Sequence, residues 1–404
     1  MELVTIIILC WMLLELLLWL GLSRLRSDFQ WLIMDKDELP ELDQKALEKF
    51  AKKGMDPELG WVRKPHSSGQ EKGRNGKKTQ FSVNALGARS NPGYDGKYPA
   101  ISLFGDSYAF GRQVNDDETW SHLVSKQIDL NILNFGVGNY GLDQAILRMQ
   151  RELSKHQSQL TIIMVVPETI CRIQTTWKHY SEYGNTLAFK PRFLLNGDQL
   201  IFKKNLIDKK EKYLKYADYL DEIKSNDYFY KAKFKRDILK FPYTISLARS
   251  SPRNCPLLLA LLKAKISNVP EVMDRPFQMI LRKNHQISMS LYYDDLSNKL
   301  IEALVCHGKS VAKQHNSKFL FCMVPQLQDV ELIEHHGIYY QPLLDRLSQF
   351  TNVLNLTDIF TSQDKIGYCY THDMYGGHLS RYGNELVADI ITEKVRQLLD
   401  MQGK

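Results

Sequence analysis

Closely spaced cysteines, which mark zinc sites and disulfide frameworks, are missing from this sequence. The 404-residue chain has six cysteines, all far apart and none in a C-x-x-C pair: Cys10, Cys171, Cys255, Cys306, Cys322 and Cys369. Structural zinc needs a tight set of Cys or His ligands, and a disulfide framework needs a dense, regular set of cysteines. The sequence therefore predicts neither, and we expect most of these cysteines to be small buried hydrophobes.

Cofactor loops and strong charge blocks are also missing. No P-loop lysine follows a predicted strand, and the spacing of Asp143 and Asp373 is not that of a metal site. We therefore expect neither a cofactor nor a bound metal. The formal charge of +7 is spread along the chain. This argues against a nucleic-acid partner and leaves a polyanionic glycan or an acidic membrane surface open.

The clearest feature of the composition is an apolar run at residues 3–22, in which Glu15 is the only charge. About 20 apolar residues cross a bilayer as a helix. No basic segment precedes the run and no small-residue cleavage site follows it, so residues 1–22 are predicted to be an uncleaved membrane anchor rather than a signal peptide. The alternative is a helix lying on the membrane surface, with Glu15 at the water edge.

Residues 23–79 are predicted to be a polar helical stalk followed by a flexible loop rich in Gly, Ser and Lys. From residue 80 onwards, strand and helix patterns alternate. Five short runs predict strands: AISLFGDS, LNILNFG, LTIIMVV, SKFLFCMVP and TNVLNLTDIF. The third is continuous in Ile, Val and Met and is apolar on both faces, as buried parallel strands are. The alternation predicts an α/β domain over residues 80–404 with a parallel sheet and its active site at the carboxyl ends of the strands.

A long insertion, about residues 175–290, separates the third and fourth of these strands. Its first part is rich in Lys and Tyr and predicts a solvated pair of surface helices. The alternative is a lid or substrate platform, on which tyrosine rings stack against sugars. The later run CPLLLALLKAKI is too short to span a membrane, and we expect a packed helix or one that dips into the interface.

Three segments carry residues suited to chemistry. Ser107, in FGDSYAFG, stands where a strand gives way to a helix, although Asp106 and Ser107 are also common helix caps. Residues 134–141 form a Gly-rich turn whose backbone N–H groups suit an anion, or simply make a tight turn. His378, in GGHLSRYGN, lies among small residues in a late loop, where a base can reach a serine on the first strand.

In this order, the motifs resemble those of the SGNH hydrolase superfamily, also called GDSL esterases and lipases. The resemblance covers about residues 80–399 without the insertion. It implies a three-layer α/β/α, flavodoxin-like fold, with Ser107 as nucleophile and His378 as its base. It also implies an oxyanion hole made of the Ser107 N–H, a backbone N–H of Gly138 or Asn139, and a side chain from a third motif.

Three positions depart from the family pattern. Asn139 occupies the place of the glycine in the second motif, with Gly138 adjacent, and Asn tolerates the positive φ under which the backbone donor is kept. Glu168 occupies the place of the oxyanion-binding Asn, and an ionised carboxylate there opposes the reaction unless it is protonated or turned away. Tyr375 occupies the place of the Asp that orients the histidine, with Asp373 nearby as a substitute. These departures leave two possibilities open: an active hydrolase, or a scaffold that binds without turnover.

The preferred hypothesis is a serine esterase that cleaves or transfers O-acyl groups, such as acetyl esters of a polysaccharide or glycolipid. The alternatives are a catalytically degenerate scaffold that binds glycan or assists polysaccharide assembly, and a membrane lipase or thioesterase. Arg24 and Arg26 follow the anchor, which favours a cytoplasmic domain by the positive-inside rule. The resemblance to anchored bacterial hydrolases favours a periplasmic or extracellular domain instead.

Overall fold

The computed structural model describes residues 2–73, 76–371 and 377–401. The strands in this part of the chain are β1 (Met55–Asp56), β2 (Gly60–Trp61), β3 (Ser68–Lys72), β4 (Lys78–Ser82), β5 (Pro99–Gly105), β6 (Asn131–Asn134), β7 (Leu160–Val165), β8 (Arg192–Asn196), β9 (Gln199–Lys203), β10 (Lys318–Met323) and β11 (Asn352–Asn355).

The α-helices in the same residues are α1 (Glu2–Asp28), α2 (Gln44–Lys53), α3 (Ser107–Phe110), α4 (Trp120–Ile128), α5 (Leu142–Leu153), α6 (Thr169–Arg172), α7 (Lys178–Ser181), α8 (Lys210–Tyr213), α9 (Leu220–Ser225), α10 (Lys235–Asp237), α11 (Tyr243–Arg249), α12 (Ser251–Ile266), α13 (Pro270–Leu291), α14 (Asp295–Gln314), α15 (Leu327–His336), α16 (Gln341–Ser348), α17 (Asp358–Thr361) and α18 (Arg381–Leu398). Short 3₁₀ or π segments occur at Asp35–Glu38, Asp116–Glu118, Tyr216–Tyr219, Tyr230–Phe234 and Ile366–Cys369.

The central sheet has five parallel strands in the order β6-β5-β7-β10-β11. In order of appearance along the chain this is 2-1-3-4-5, the flavodoxin-like order. All five predicted strands are confirmed, with ends that differ by a few residues. The direction in which successive strands are added reverses between β5 and β7. The loops that follow β5, β6 and β7 therefore lie close together at the carboxyl ends of the strands.

Helices cover both faces of this sheet. On one face, Ile101 of β5 shares a buried cluster with Val124 of α4 and Val387 of α18. Neighbouring residues on a strand point to opposite faces. Helix α14 lies on the other face. It packs closely there, since a Cβ atom added to Gly308 of α14 would lie 3.4 Å from the ring of Phe319 on β10. The predicted α/β class with a covered parallel sheet is therefore confirmed.

The chain divides into two compact units. Unit 1 contains residues 1–48, 175–189 and 210–286, and unit 2 contains residues 49–174, 190–209 and 287–404. Unit 2 carries the parallel sheet and all three motifs. Residues 190–209, inside the predicted insertion, belong to unit 2 and form the antiparallel hairpin β8–β9.

Unit 1 contains α1, which is long and apolar enough to cross a membrane by length and composition. The unit also has an aromatic cluster, in which the Trp177 ring stacks on Phe189 and also contacts Tyr216. Tyr213 and Tyr216 are 0% and 7% exposed. These two rings are core residues, so they are not available to stack on sugars as the platform alternative requires.

The segment predicted to be a flexible loop before residue 80 contains a hairpin. Strands β3 and β4 pair antiparallel, from Ser68 opposite Ser82 to Lys72 opposite Lys78. The outward residues of β3 are polar and exposed, so this strand lacks the apolar pattern by which buried strands are found.

Candidate active site

Ser107 is the first residue of α3 and is separated from the last residue of β5, Gly105, by Asp106 alone. The turn between them requires a glycine at position 105. A Cβ atom on Gly105 would lie 1.8 Å from the carbonyl oxygen of Met164 on the adjacent strand. This close approach brings the start of α3 to the carboxyl edge of the sheet, and Ser107 is only 6% exposed there.

Asp106 is a structural residue at this turn. Its fully buried carboxylate accepts hydrogen bonds from the N–H groups of Tyr108 at 2.9 Å and Val166 at 3.0 Å. The guanidinium of Arg172 lies 3.2 Å away. Burial raises the pKa of the Asp106 carboxyl, and Arg172 opposes this effect. The helix-cap interpretation therefore holds for Asp106, which ties α3 to the end of β7.

His378 lies beside Ser107 although 271 positions separate them in the chain. Its Nε2 atom is 3.0 Å from Ser107 Oγ, and the histidine is 8% exposed. Two backbone contacts fix the loop: the His378 N–H donates to the Thr371 hydroxyl at 3.1 Å, and the Thr371 N–H donates to the His378 carbonyl at 2.7 Å. The structure thus brings together the two residues that the sequence analysis selected as nucleophile and base.

Tyr108 supports the histidine from the helix that carries Ser107. Its hydroxyl donates to the carbonyl of Gly377 at 2.7 Å, and its ring centroid lies 5.1 Å from that of His378. Sequence reasoning missed this role, because a tyrosine after GDS carries no signal of a partner so far along the chain.

The turn after β6 presents backbone donors. Asn139 has a left-handed backbone with φ of 67°, and Gly138 has open space where a Cβ would be. The Trp61 indole N–H donates to the Gly138 carbonyl at 3.0 Å. Within the described residues, the N–H groups of Ser107, Gly138 and Asn139 have no hydrogen-bond acceptor. Unpaired donors of this kind suit a developing oxyanion.

The same turn, residues 136–141, has the G-x-G-x-x-G spacing of dinucleotide-binding loops. A bound pyrophosphate needs free N–H groups at the start of the following helix. Here the N–H groups of Gly141, Leu142 and Gln144 donate to side-chain oxygens of Gln144, Thr169 and Asp143. Because these donors are already satisfied inside the protein, they are not available to a pyrophosphate at this helix start.

Glu168, at the third predicted oxyanion position, is paired with a cation. Its carboxylate accepts from Arg172 Nη2, four residues along the chain. Arg172 therefore lies between Glu168 and the buried Asp106, and its side chain is 7% exposed. The pairing is neither protonation nor a turned-away carboxylate, the two conditions that the sequence analysis considered. It compensates the charge of Glu168 instead, which weakens the repulsion of an oxyanion. Arg172 is a second residue whose role sequence reasoning missed, although its i,i+4 spacing from Glu168 signals an ion pair.

Asp373, Tyr375 and Gly376 lie outside the described residues. In the described part of the chain there is no cluster of three or more His, Cys, Asp or Glu side chains that could hold a metal ion. The expectation about Asp373 as the group that orients His378 stays a prediction.

No family model and no curated protein matches this chain. Among solved structures, one match is a protein described as lipolytic and of the G-D-S-L family from Desulfitobacterium hafniense DCB-2. It has 9% identity, covers 72% of this chain and 97% of its own, and has a TM-score of 0.33. A second is the psychrotrophic esterase EstA from Pseudoalteromonas sp., with 10% identity, 74% and 98% coverage, and a TM-score of 0.32.

A third match is a family two carbohydrate esterase from Clostridium thermocellum in complex with cellohexaose. It has 12% identity, covers 75% of this chain and 65% of its own, and has a TM-score of 0.29. All three of these solved structures are described as esterases or lipolytic proteins.

Proposed function

We propose that this protein is a membrane-anchored serine esterase in which Ser107 is the nucleophile and His378 is its base. The observation that carries this proposal is the 3.0 Å separation between Ser107 Oγ and His378 Nε2. A hydroxyl is a weak nucleophile until a base within hydrogen-bond reach takes its proton.

The reaction follows from this pair. Ser107 Oγ attacks the ester carbonyl while its proton passes to His378 Nε2, and the carbonyl oxygen becomes an oxyanion. The imidazolium then protonates the leaving alcohol, and an acyl-enzyme on Ser107 remains. Water, or a sugar hydroxyl in the transferase version, attacks the acyl group and gives its proton to His378, which restores Ser107.

The oxyanion is bound by the N–H of Ser107 together with that of Gly138 or Asn139. Each such donor contributes about a hundredfold to a thousandfold to the rate. The left-handed backbone of Asn139, with φ of 67°, supports this role because left-handed residues occur in the loops whose successive N–H groups bind anions.

For the substrate, we propose small O-acyl groups, acetyl above all, on a polysaccharide or glycolipid. Ser107 and His378 are 6% and 8% exposed. The low exposure of these two side chains is the basis for choosing a short acyl group over a fatty acyl chain, which needs a long apolar groove.

The test uses the full-length protein in detergent with p-nitrophenyl acetate and a fluorophosphonate probe. Ser107→Ala should abolish probe labelling and lower kcat/KM at least about a thousandfold. His378→Ala should also prevent labelling, because Ser107 then has no base. His336→Ala, at an exposed histidine, is the matched control and should behave as wild type.

Two results would contradict the proposal. Unchanged turnover in Ser107→Ala removes that residue from the mechanism. A wild-type protein that neither labels nor turns over supports the alternative of a degenerate scaffold, and in that case glycan binding becomes the measurement of interest.

We also propose that α1 anchors the protein in a membrane, since it is the one helix in the described residues that passes the length and composition test. Extraction with alkaline carbonate should leave the protein in the membrane fraction. Protease treatment of intact cells then distinguishes the two orientations. Arg24 and Arg26 predict a cytoplasmic domain, which the protease does not reach. The resemblance to anchored hydrolases predicts a periplasmic or extracellular domain.

A further inference from the structure

Glu15, the one charge in the apolar run of α1, is buried against the start of α11. It is 3% exposed and accepts hydrogen bonds from the N–H of Tyr243, from the N–H of Thr244 at 3.0 Å and from the Thr244 hydroxyl. Helix α11 has no side-chain cap of its own, and Glu15 takes that role from another helix. These bonds fix the start of α11 at the level of Glu15.

The position of Glu15 sets the depth of this contact. At a rise of about 1.5 Å per residue, the apolar run of residues 3–22 is about 30 Å long, the thickness of the hydrocarbon layer. Glu15 therefore lies about 10 Å inside the end of the run at Leu22. If this run spans the layer, the start of α11 must lie within the hydrocarbon too.

The side chains around this contact are apolar and face outward. Phe241 is 62% exposed and Ile245 is 56% exposed. The Phe241 ring lies 5.9 Å from that of Trp11 on α1, and the Trp11 indole N–H donates to the Thr244 hydroxyl at 3.3 Å. Outward aromatic and aliphatic side chains at this level suit acyl chains rather than water.

Helix α12 continues this apolar surface. Its inner side places Leu257 and Leu261 in a buried cluster with Leu22 of α1. Its outer side carries three exposed apolar residues at helical spacing: Leu259 (60%), Leu262 (52%) and Ile266 (87%). A helix that is apolar on both sides is typical of a membrane or of a buried core.

We propose that residues 241–266, which we call the membrane wedge, insert into the bilayer beside the C-terminal half of α1, with phospholipid acyl chains covering their exposed apolar face. The proposal rests on the anchoring role of α1 proposed above and not on the esterase activity. The depth of Glu15 is what selects lipid as the occupant rather than water.

The charges around the membrane wedge agree with this position. Arg24 follows the apolar run, Arg249 ends α11, and Lys263 lies near the end of α12, all three exposed. Lys265 pairs with Asp28 at 2.9 Å, beyond the last turn of the apolar run. Long basic side chains at the edge of an apolar surface reach the headgroups and favour anionic lipid.

The experiment measures the depth of a fluorophore on the full-length protein in phosphatidylcholine–phosphatidylglycerol vesicles. Single cysteines are labelled with an NBD maleimide after the exposed Cys10, Cys255 and Cys306 are replaced by serine. The tested variants are Leu259→Cys and Leu262→Cys. Ile7→Cys on α1 is the positive control, and Leu214→Cys, which is 60% exposed in the same unit, is the negative control.

NBD at positions 259 and 262 should show blue-shifted emission and lose most of its intensity when the acyl chains carry bromine, as NBD at position 7 does. NBD at position 214 should be quenched by aqueous iodide instead. A version that keeps the native Cys255, on the same helix, repeats the measurement without changing either leucine.

Three outcomes would overturn the inference. Lipid quenching at position 7 but not at 259 or 262 means that α1 is an anchor without a wedge. Protection of positions 259 and 262 from both quenchers means that protein, such as a second copy, covers the face. Absence of lipid quenching at position 7 removes the anchor, and the wedge with it, while leaving the esterase proposal intact.

Discussion

Glu168 is ion-paired with Arg172, and the same guanidinium lies 3.2 Å from the carboxylate of Asp106. One cation thus compensates two carboxylates beside the proposed nucleophile. Because Asp106 is fully buried while the Glu168 side chain is 25% exposed, the two contacts differ in how much they stabilise the fold.

Substitution of this cation should affect both stability and rate. Arg172→Met leaves Asp106 buried without its partner and should lower the free energy of unfolding by about 3–5 kcal/mol. It should also lower kcat/KM for p-nitrophenyl acetate by more than tenfold, because Glu168 is then an uncompensated charge near the oxyanion. Urea unfolding and steady-state kinetics measure the two effects.

The companion variant is Glu168→Gln, which keeps Arg172 on Asp106 and should hold activity within about threefold of wild type. The double variant Arg172→Met with Glu168→Gln should recover part of the rate but not the stability. If the double variant is no faster than Arg172→Met alone, the charge of Glu168 is not what slows the reaction.

Tyr108→Phe tests a positioning role. The change removes the hydroxyl that donates to the Gly377 carbonyl and keeps the ring against His378. Loss of one hydrogen bond of about 0.5–1.5 kcal/mol should lower kcat about threefold to tenfold with little change in KM. Tyr382→Phe, at an exposed tyrosine with a side-chain hydrogen bond, is the control. A fall in thermal stability with unchanged kcat would show a merely structural role.

Lys190 and Asp143 form an ion pair in which both side chains are 0% exposed. Burial raises the pKa of the Asp143 carboxyl, and Lys190 opposes this effect. Lys190→Met should therefore lower the free energy of unfolding by about 3–5 kcal/mol near neutral pH. The loss should shrink as the pH falls, because the isolated carboxyl takes up a proton.

A matched surface pair gives the reference for that measurement. Lys318 pairs with Asp400, with side chains 51% and 84% exposed, and Lys318→Met should change stability by less than about 1 kcal/mol. Equal losses in the two variants would contradict the importance of burial.

His179 should make the protein sensitive to acid. Burial lowers the pKa of His179 to about 4, below its ordinary value of 6.5. Its Nε2–H donates to the Asp37 carbonyl at 2.8 Å, and its Nδ1 accepts from the Gly184 N–H. Protonation of Nδ1 would place its new N–H opposite the Gly184 N–H, so that two donors face each other and the hydrogen bond is lost.

The direction in which stability changes with pH follows from the lowered pKa of His179. Between pH 6.5 and 4 the unfolded chain binds a proton that the folded chain does not, so stability is full above pH 6.5 and falls as the pH falls. The loss is about 1.4 kcal/mol per pH unit, about 3 kcal/mol in total. Urea midpoints at about pH 7 and about pH 5 measure it. His179→Gln keeps a donor and should show a smaller difference between the two pH values than wild type.

Much of the fold could be predicted because buried parallel strands have a strong signature. The run LTIIMVV is apolar at every position except Thr161, and it forms β7, which is buried throughout. The hairpin β8–β9 lies inside the insertion, where the Lys- and Tyr-rich sequence predicts surface helix, although Gly197 and Asp198 form a two-residue turn that is typical of hairpins. The hairpin β3–β4 was missed because its outer face is polar.

The candidate site also contains residues that the sequence identifies and residues that it does not. Ser107 and His378 could be selected because a motif marks each of them, and the sheet order then brings them together. Arg172 and Tyr108 could not be selected. The role of Tyr108 depends on a contact with a segment far along the chain, and the role of Arg172 depends on a pairing that sequence spacing only suggests. Glu15 is a similar case: its partner residues 243 and 244 are more than 200 positions away.

Trp61 lies nineteen residues before the expected start of the catalytic domain, yet its indole fixes the carbonyl of Gly138. The Tyr140 hydroxyl donates to the Trp61 carbonyl, and Gln144 Nε2 donates to the carbonyl of Leu59 at 2.7 Å. A recombinant fragment cut at residue 80 would therefore discard the brace of the proposed oxyanion loop. Truncations aimed at crystals or assays should begin no later than residue 49, and those meant to keep unit 1 intact must also retain residues 1–48.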